Sequence, residues 1–271
     1  MRILISTDIE GVAGIYHRVQ TTPGNPEYER ARLLMTREAN AAIAGAFDGG
    51  ARAVLVNDSH GDFRNMPPDL LDPRAQVVQG KPRPLGMMAG LDQDIDAVCL
   101  VGYHSRASGR GILAHTVNSF AFARLEINGL ELGEAGLYGA LAGEYGVPVV
   151  MGSGDDVFIA ENHALFPQTR FVETKRATGQ NSGISLSPAQ AGAAIQKTVA
   201  AALRDRAAQP LRFDAPFEIR MWAQSPALAD LFCVWPALRR GEGNEFAFTA
   251  ARIEEAVRMI NCLSAMSAAL R

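Results

Sequence analysis

The chain has 271 residues, of which 48% are hydrophobic, enough apolar material for one large α/β domain or two modest ones. A formal net charge of -3, with acids and bases interspersed and no long basic run, excludes nucleic acid as an expected partner. No apolar run approaches the roughly 20 residues that span a bilayer, and the N-terminus lacks the basic, apolar and small-residue pattern of a leader, so the expected setting is the cytoplasm, off the membrane.

Ile3 to Ser6 reads as a short buried strand. Ala31, Leu34, Met35, Ala39, Ala42, Ile43 and Ala46 recur at helical spacing and predict a long helix over 28–47, stopped by Gly49-Gly50. Ala53 to Val56 and Ala97 to Val101 are further buried strands. From 123 to 132 apolar and polar residues alternate on both sides of Asn128-Gly129, a strong hairpin signal. A helix over 134–145 ends at Gly146, and a strand follows over 147–151. Ser187 as N-cap and Pro188 at the first helical position open an Ala-rich helix to about residue 208. Strands are expected at 217–222 and 245–248, with a closing helix over 249–270. The three cysteines, Cys99, Cys233 and Cys262, are scattered in apolar stretches and read as reduced, buried thiols.

Short runs apolar on both faces and separated by helices suit a mostly parallel sheet. The expectation is an α/β fold, a three-layer α/β/α arrangement with a mostly parallel or mixed sheet, plus a smaller C-terminal α+β part. The expected division falls near residue 180, with a metal-binding catalytic domain over 1–180 and a C-terminal subdomain over 181–271.

Chemistry-bearing residues follow the apolar runs. The first ends in Ser6-Thr7-Asp8-Ile9-Glu10-Gly11, the second in Asn57-Asp58-Ser59-His60-Gly61, the third in Gly102-Tyr103-His104. In open α/β sheets the carboxyl ends of the strands form the ligand-binding edge. Alone, an Asp after a strand is a turn residue or helix cap, and a lone His is a hydrogen-bonded structural group. Together they mean more: only five histidines exist, two of them stand at such strand ends, and acids stand at two of the ends. The joint pattern predicts a metal site of Asp8, Glu10, His60 and His104. Imidazole plus carboxylate without thiolate suits Zn2+ and admits Mn2+ or Co2+. A carboxylate can bridge two ions about 3.5–4 Å apart, the arrangement used for in-line hydrolysis, and Asp8 is the most central candidate. Such a pair needs a further acid.

Glu134, in Leu132-Gly133-Glu134-Ala135-Gly136, reads on its own as a first-turn helix acid favoured by the macrodipole. His115, in a Gly/Ser-rich loop, is either a surface histidine or a further candidate for the site. Asp155 and Asp156 cap the next helix or support the site. His17 and His163 read as ordinary.

The segment Ser6-Thr7-Asp8-Ile9-Glu10-Gly11 resembles the S-x-D-x-E-G signature of the bacterial zinc-dependent D-aminopeptidases of the dipeptide-transport type. The resemblance continues through Tyr28-Glu29-Arg30-Ala31-Arg32, Asn57-Asp58-Ser59-His60, Leu91-Asp92, Gly102-Tyr103-His104-Ser105-Arg106-Ala107-Ser108, Gly133-Glu134, Gly154-Asp155-Asp156 and Leu186-Ser187-Pro188-Ala189. It covers about two-thirds of the chain and is loose after about residue 210. It implies two zinc ions per chain, held by Asp8, Glu10, His60, His104 and Glu134, with His115 at the position proposed as nucleophile. The flank of that histidine, Ala114-His115-Thr116, departs from the Ser-His-Ser or Ser-His-Thr more usual in the family. The resemblance also implies short peptide substrates with small D-residues, and a homo-oligomer such as a decameric ring. Glycine and small L-residues are the competing substrates. Two rival readings are a di-metal phosphoesterase, with Arg106 and Arg110 pairing with phosphate oxygens, and a non-catalytic peptide-binding transport component.

Overall fold

In a computed structural model describing residues 1–271, the chain opens with β1 (Arg2–Thr7), α1 (Pro26–Asp48), β2 (Ala53–Asp58), β3 (Gln76–Val78) and β4 (Ala97–Val101). A hairpin follows, β5 (Phe122–Ile127) and β6 (Leu130–Glu131), then α2 (Glu134–Glu144), β7 (Val149–Asp155) and α3 (Asp156–Asn162). Next come β8 (Arg170–Gly179), β9 (Ser182–Ser185), α4 (Pro188–Asp205), β10 (Phe217–Ala223) and α5 (Pro226–Phe232). β11 (Arg239–Arg240), β12 (Glu245–Ala250) and α6 (Ile253–Met266) close the chain.

The first sheet has seven strands in the order β3-β2-β1-β4-β7-β8-β9, all parallel except the β8–β9 pair. Its central strands are covered on both faces, which is why their sequences are continuously apolar rather than alternating. Side chains on successive residues still point to opposite faces. Ile3, Ile5, Val54, Val56 and Cys99 pack under α1 and α4, against Ala39, Ile43 and Ile195. Leu4, Val98 and Leu100 face a second core shared with α2, α5, α6 and the inner face of the second sheet. α1 starts with Pro26 in its first turn and stops at Gly49, and Gly50 follows at φ +91, a left-handed conformation that glycine adopts without a Cβ clash.

The second sheet is antiparallel, in the order β11-β12-β10-β5-β6. β10 alternates strictly, with Phe217, Ile219, Met221 and Ala223 buried. Asn128 and Gly129 both have positive φ, the geometry that a two-residue hairpin turn of matching twist requires.

These layers match the expected α/β class with a mixed sheet. The sheets do not divide the chain at residue 180. β5, from the earlier part, pairs with β10 from the later part. α4, from the later part, lays Ala191, Ile195, Val199 and Leu203 on the α1 side of the first sheet. An apolar stripe must be buried somewhere, and the open face beside α1 is where this one goes. The closing helix starts at Ile253 rather than at residue 249, because Thr249 and Ala250 remain paired with Glu218 and Phe217. No helix is long and apolar enough to cross a membrane.

Candidate metal centre

β1 lies between β2 and β4, and Thr7 is level with Asp58 on one side and Val101 on the other. The three strands therefore end together, and the residues just beyond them meet above the sheet edge. Gly11 and Gly102 allow the β1 and β4 exits to touch: a Cβ on Gly11 would lie 1.9 Å from the Tyr103 carbonyl oxygen, and one on Gly102 2.4 Å from that of Asp8. Asp8 consequently stands between two imidazoles. Its Oδ1 is 3.3 Å from His60 Nδ1, and its Oδ2 is 3.3 Å from His104 Nε2. Glu10 Oε2 is 3.1 Å from His60 Nδ1.

The fourth side comes from the second sheet. The β5–β6 hairpin returns the chain to Gly133, and α2 begins with Glu134 facing the cluster. Glu134 Oε1 accepts the Val117 N–H at 2.6 Å and lies 3.4 Å from His104 Nε2 and 3.7 Å from His115 Nε2. The His115 ring stacks on that of His104, with centroids 4.0 Å apart. His115 is the most exposed of the six, at 20% of its side chain, and forms the rim.

The main chain fixes the tautomers. His60 Nε2 is 2.8 Å from the Thr21 carbonyl, His104 Nδ1 is 2.9 Å from that of Ser105, and His115 Nδ1 is 2.9 Å from that of Leu113. A carbonyl only accepts, so each of those nitrogens carries a proton, and in the neutral ring the other nitrogen is the lone-pair donor. The lone-pair nitrogens of His60 and His104 point at carboxylates. Two lone-pair donors face each other favourably only when positive charge stands between them, a proton or a metal ion.

The electrostatics agree. Burial alone would raise the Asp8 carboxyl, but the adjacent imidazoles of His104 and His60 hold it well below the carboxylate range. Burial would lower both imidazoles. Glu10 and Asp8 instead hold His60 well above its ordinary value, and Glu134 and Asp8 do the same for His104. The carboxylates thus demand cationic charge at this spot. Asp8 Oδ2, Glu10 Oε2 and His104 Nε2 are buried and have no hydrogen-bond partner, an arrangement that calls for an explanation in a folded protein. Donor atoms of Asp8, Glu10 and His104 lie within 4.8 Å of one another, as do those of His104, His115 and Glu134. An oxygen and nitrogen set of this kind fits a divalent transition ion such as zinc.

The other residues marked in the sequence lie elsewhere. Asp155 caps α3 by accepting the Phe158 N–H at 2.8 Å, and its Oδ2 accepts the Ile112 N–H at 2.6 Å in the loop that carries His115. Asp156 accepts the Ala177 N–H. Arg106 is engaged by Glu161 at 2.8 Å and Glu131 at 3.2 Å, and Arg110 is exposed. His17 caps a short 3-10 turn, and His163 ends α3. Sequence reasoning missed Lys175, which is buried beside the Glu10 loop with burial pushing its ammonium down to about 8 against the charges of Asp155, Glu38 and Glu10. It also missed Glu38, pushed up to about 7 by burial. Neither has a local sequence signal, since both sit within elements of ordinary pattern.

Fold and cluster together define an α/β protein whose carboxyl sheet edge gathers a donor set suited to divalent metal. The sequence model of the D-aminopeptidase family matches residues 1–262, and the chain belongs to that family. It is 37% identical over 206 residues to the D-aminopeptidase of Bacillus subtilis (strain 168), spanning 76% of this chain and 75% of the relative. Its fold superposes with a TM-score of 0.95 on the Zn-dependent D-aminopeptidase DppA from Bacillus subtilis, a self-compartmentalizing protease, at 31% identity over 99% of this chain and 98% of that one.

Proposed function

We propose that this chain is a zinc-dependent aminopeptidase that removes the N-terminal residue of short peptides, with small D-residues preferred over glycine and small L-residues. The observation that carries the proposal is the set of buried, unpartnered donor atoms on Asp8, Glu10 and His104. The pairwise distances sort the donors into two groups that share Asp8: His60 with Glu10, and His104 with Glu134. We assign one ion to each group. Bound divalent ions supply Lewis acidity there, polarising a carbonyl and acidifying water.

The protein's own part is orientation and proton transfer. His115 keeps its proton on Nδ1, held by the Leu113 carbonyl, so Nε2 is free on the site side. It accepts the proton of the attacking water and returns it to the leaving amine. Asp155 supports this by anchoring Ile112 of the same loop, and the His115 N–H bonds to the Ser105 carbonyl. Direct attack by His115 on the carbonyl is the other role. The bound, stacked ring suits proton exchange better, because that role needs no bond to form at a nitrogen packed against His104.

The phosphoesterase reading weakens on one observation. Arg106 is neutralised by two acids, so it is not free to clamp phosphate. A metal-supplemented screen of D- and L-aminoacyl p-nitroanilides against p-nitrophenyl phosphate tests the choice. The expected result is chelator-sensitive release from D-alanyl and other small aminoacyl substrates. Dominant phosphatase turnover, or peptide hydrolysis indifferent to chelator, overturns the proposal.

We also propose a closed homo-oligomer, a decameric ring among its forms, on the strength of the self-compartmentalizing relative. Exposed Tyr16, Ile184 and Leu186 offer apolar surface for such contacts. Light scattering at micromolar concentration tests this, and a fully active monomer would sink it.

A further inference from the structure

Lys175 stands on β8, three strands from β1 in the sheet order, yet its side chain reaches the turn that follows β1. It is 2% exposed, and its ammonium donates to the carbonyls of Glu10, Val12 and Ile15. An ammonium has three protons, so all three are committed to one six-residue turn. Other groups hold the same turn. The Thr174 hydroxyl is 2.6 Å from the Gly11 carbonyl, Glu38 accepts the Ala13 N–H at 2.9 Å, and the Gly14 N–H donates to Ser185 Oγ at 2.8 Å. This turn carries Glu10, whose carboxylate faces His60.

A buried ammonium is costly, and an apolar residue of similar volume is often neutral or stabilising in its place. Stability alone does not account for Lys175. We propose that Lys175 is a positioning residue. It fixes the main chain of residues 10–15 so that Glu10 presents its carboxylate to the metal site beside His60. The inference rests on the reading of Asp8, Glu10 and His60 as ligands of a divalent ion.

Zinc affinity of the full-length chain, measured by competition with a chromophoric chelator, tests it with no reference to turnover. Four proteins are compared: wild type, Lys175→Met, Glu10→Gln and the double variant. Circular dichroism and metal-free melting check the fold. Lys175→Met is expected to weaken zinc binding about 10–100-fold, the usual effect of removing a group that orients a ligand. In the Glu10→Gln background the same change is expected to add nothing, because Lys175 acts through Glu10. Unchanged affinity in folded Lys175→Met overturns the inference, and so do equal losses in both backgrounds. If Lys175→Met does not fold, Lys175→Gln keeps two amide protons on a shorter stem. A smaller loss in the same direction is then expected, and wild-type affinity overturns the inference. If Glu10→Gln itself leaves zinc binding intact, the ligand reading falls first and takes this inference with it.

Discussion

At the carboxyl edge of the seven-stranded sheet, Asp8, Glu10 and His104 are buried and each keeps one atom without a hydrogen-bond partner. On the half-exposed face of the five-stranded sheet, Glu126 sits between Arg124 and Arg220, Arg220 also pairs with Glu245, and Arg239 pairs with Glu218. One region leaves polar atoms unsatisfied where water cannot reach them, and the other gives each charge an opposite partner, even Glu126, which is buried beneath half-exposed arginines. Folding alone selects the second arrangement, since a buried unpaired polar atom costs about 1–3 kcal/mol or more. Places where that rule fails are where function is expected. The contrast therefore separates a surface kept for structure from an edge kept for a ligand.

The sharpest way to break the contrast is Asp8→Ala. It is expected to lose most bound zinc and activity while the fold persists, because Ile3, Leu4 and Ile5 of β1 are buried independently of the carboxylate. Metal analysis decides it, and two full equivalents per chain would remove Asp8 as the shared ligand. Next is His115→Ala. A rim residue used only on the way to the transition state should leave the metal in place and lower kcat by about 10²–10⁴-fold with little change in KM. Loss of zinc along with turnover would make His115 a ligand instead. On the structural side, Phe248 is 1% exposed in the core under the second sheet. Phe248→Ala is expected to cost about 3–5 kcal/mol in urea unfolding, with zinc affinity of the folded protein unchanged. A coupled loss of affinity would show that the two regions are not separable. The smallest effect is expected for Arg239→Ala, which removes an exposed pair with Glu218. Its cost should stay below about 1 kcal/mol, and a larger loss would mean that this charged face carries stability after all.

The central strands could be read from the sequence because burial on both faces leaves unbroken apolar runs, as in Ala97–Val101. The hairpin could be read because Asn128-Gly129 has few other uses. Asp8, His60 and His104 stood out because parallel strands bring their carboxyl ends to one edge, so position after a strand already implies neighbourhood. Glu134 was harder. It does open α2, as its local pattern says, and only the path of the preceding hairpin turns that first-turn acid towards His104. β9 was not legible, since all four of its residues are exposed and no face alternates. Lys175 was not legible either, because a lysine in a strand ordinarily faces water. The carbonyls of Thr21, Ser105 and Leu113 fix the imidazoles, and main-chain groups leave no trace in side-chain identity.

Ile127 of the hairpin pairs with Ile219, about 90 residues further along the chain. Ribosomes add about 5–20 residues per second, so β5 waits on the order of 5–20 s for its neighbour β10. During that interval Asp8, His60 and His104 have all emerged, but the strand that steadies the approach to Glu134 has no partner on its β10 side. Metal loading should therefore be a late event in the life of a nascent chain. Stalled ribosome complexes ending before residue 217 should hold zinc weakly, and those released at full length should hold it tightly.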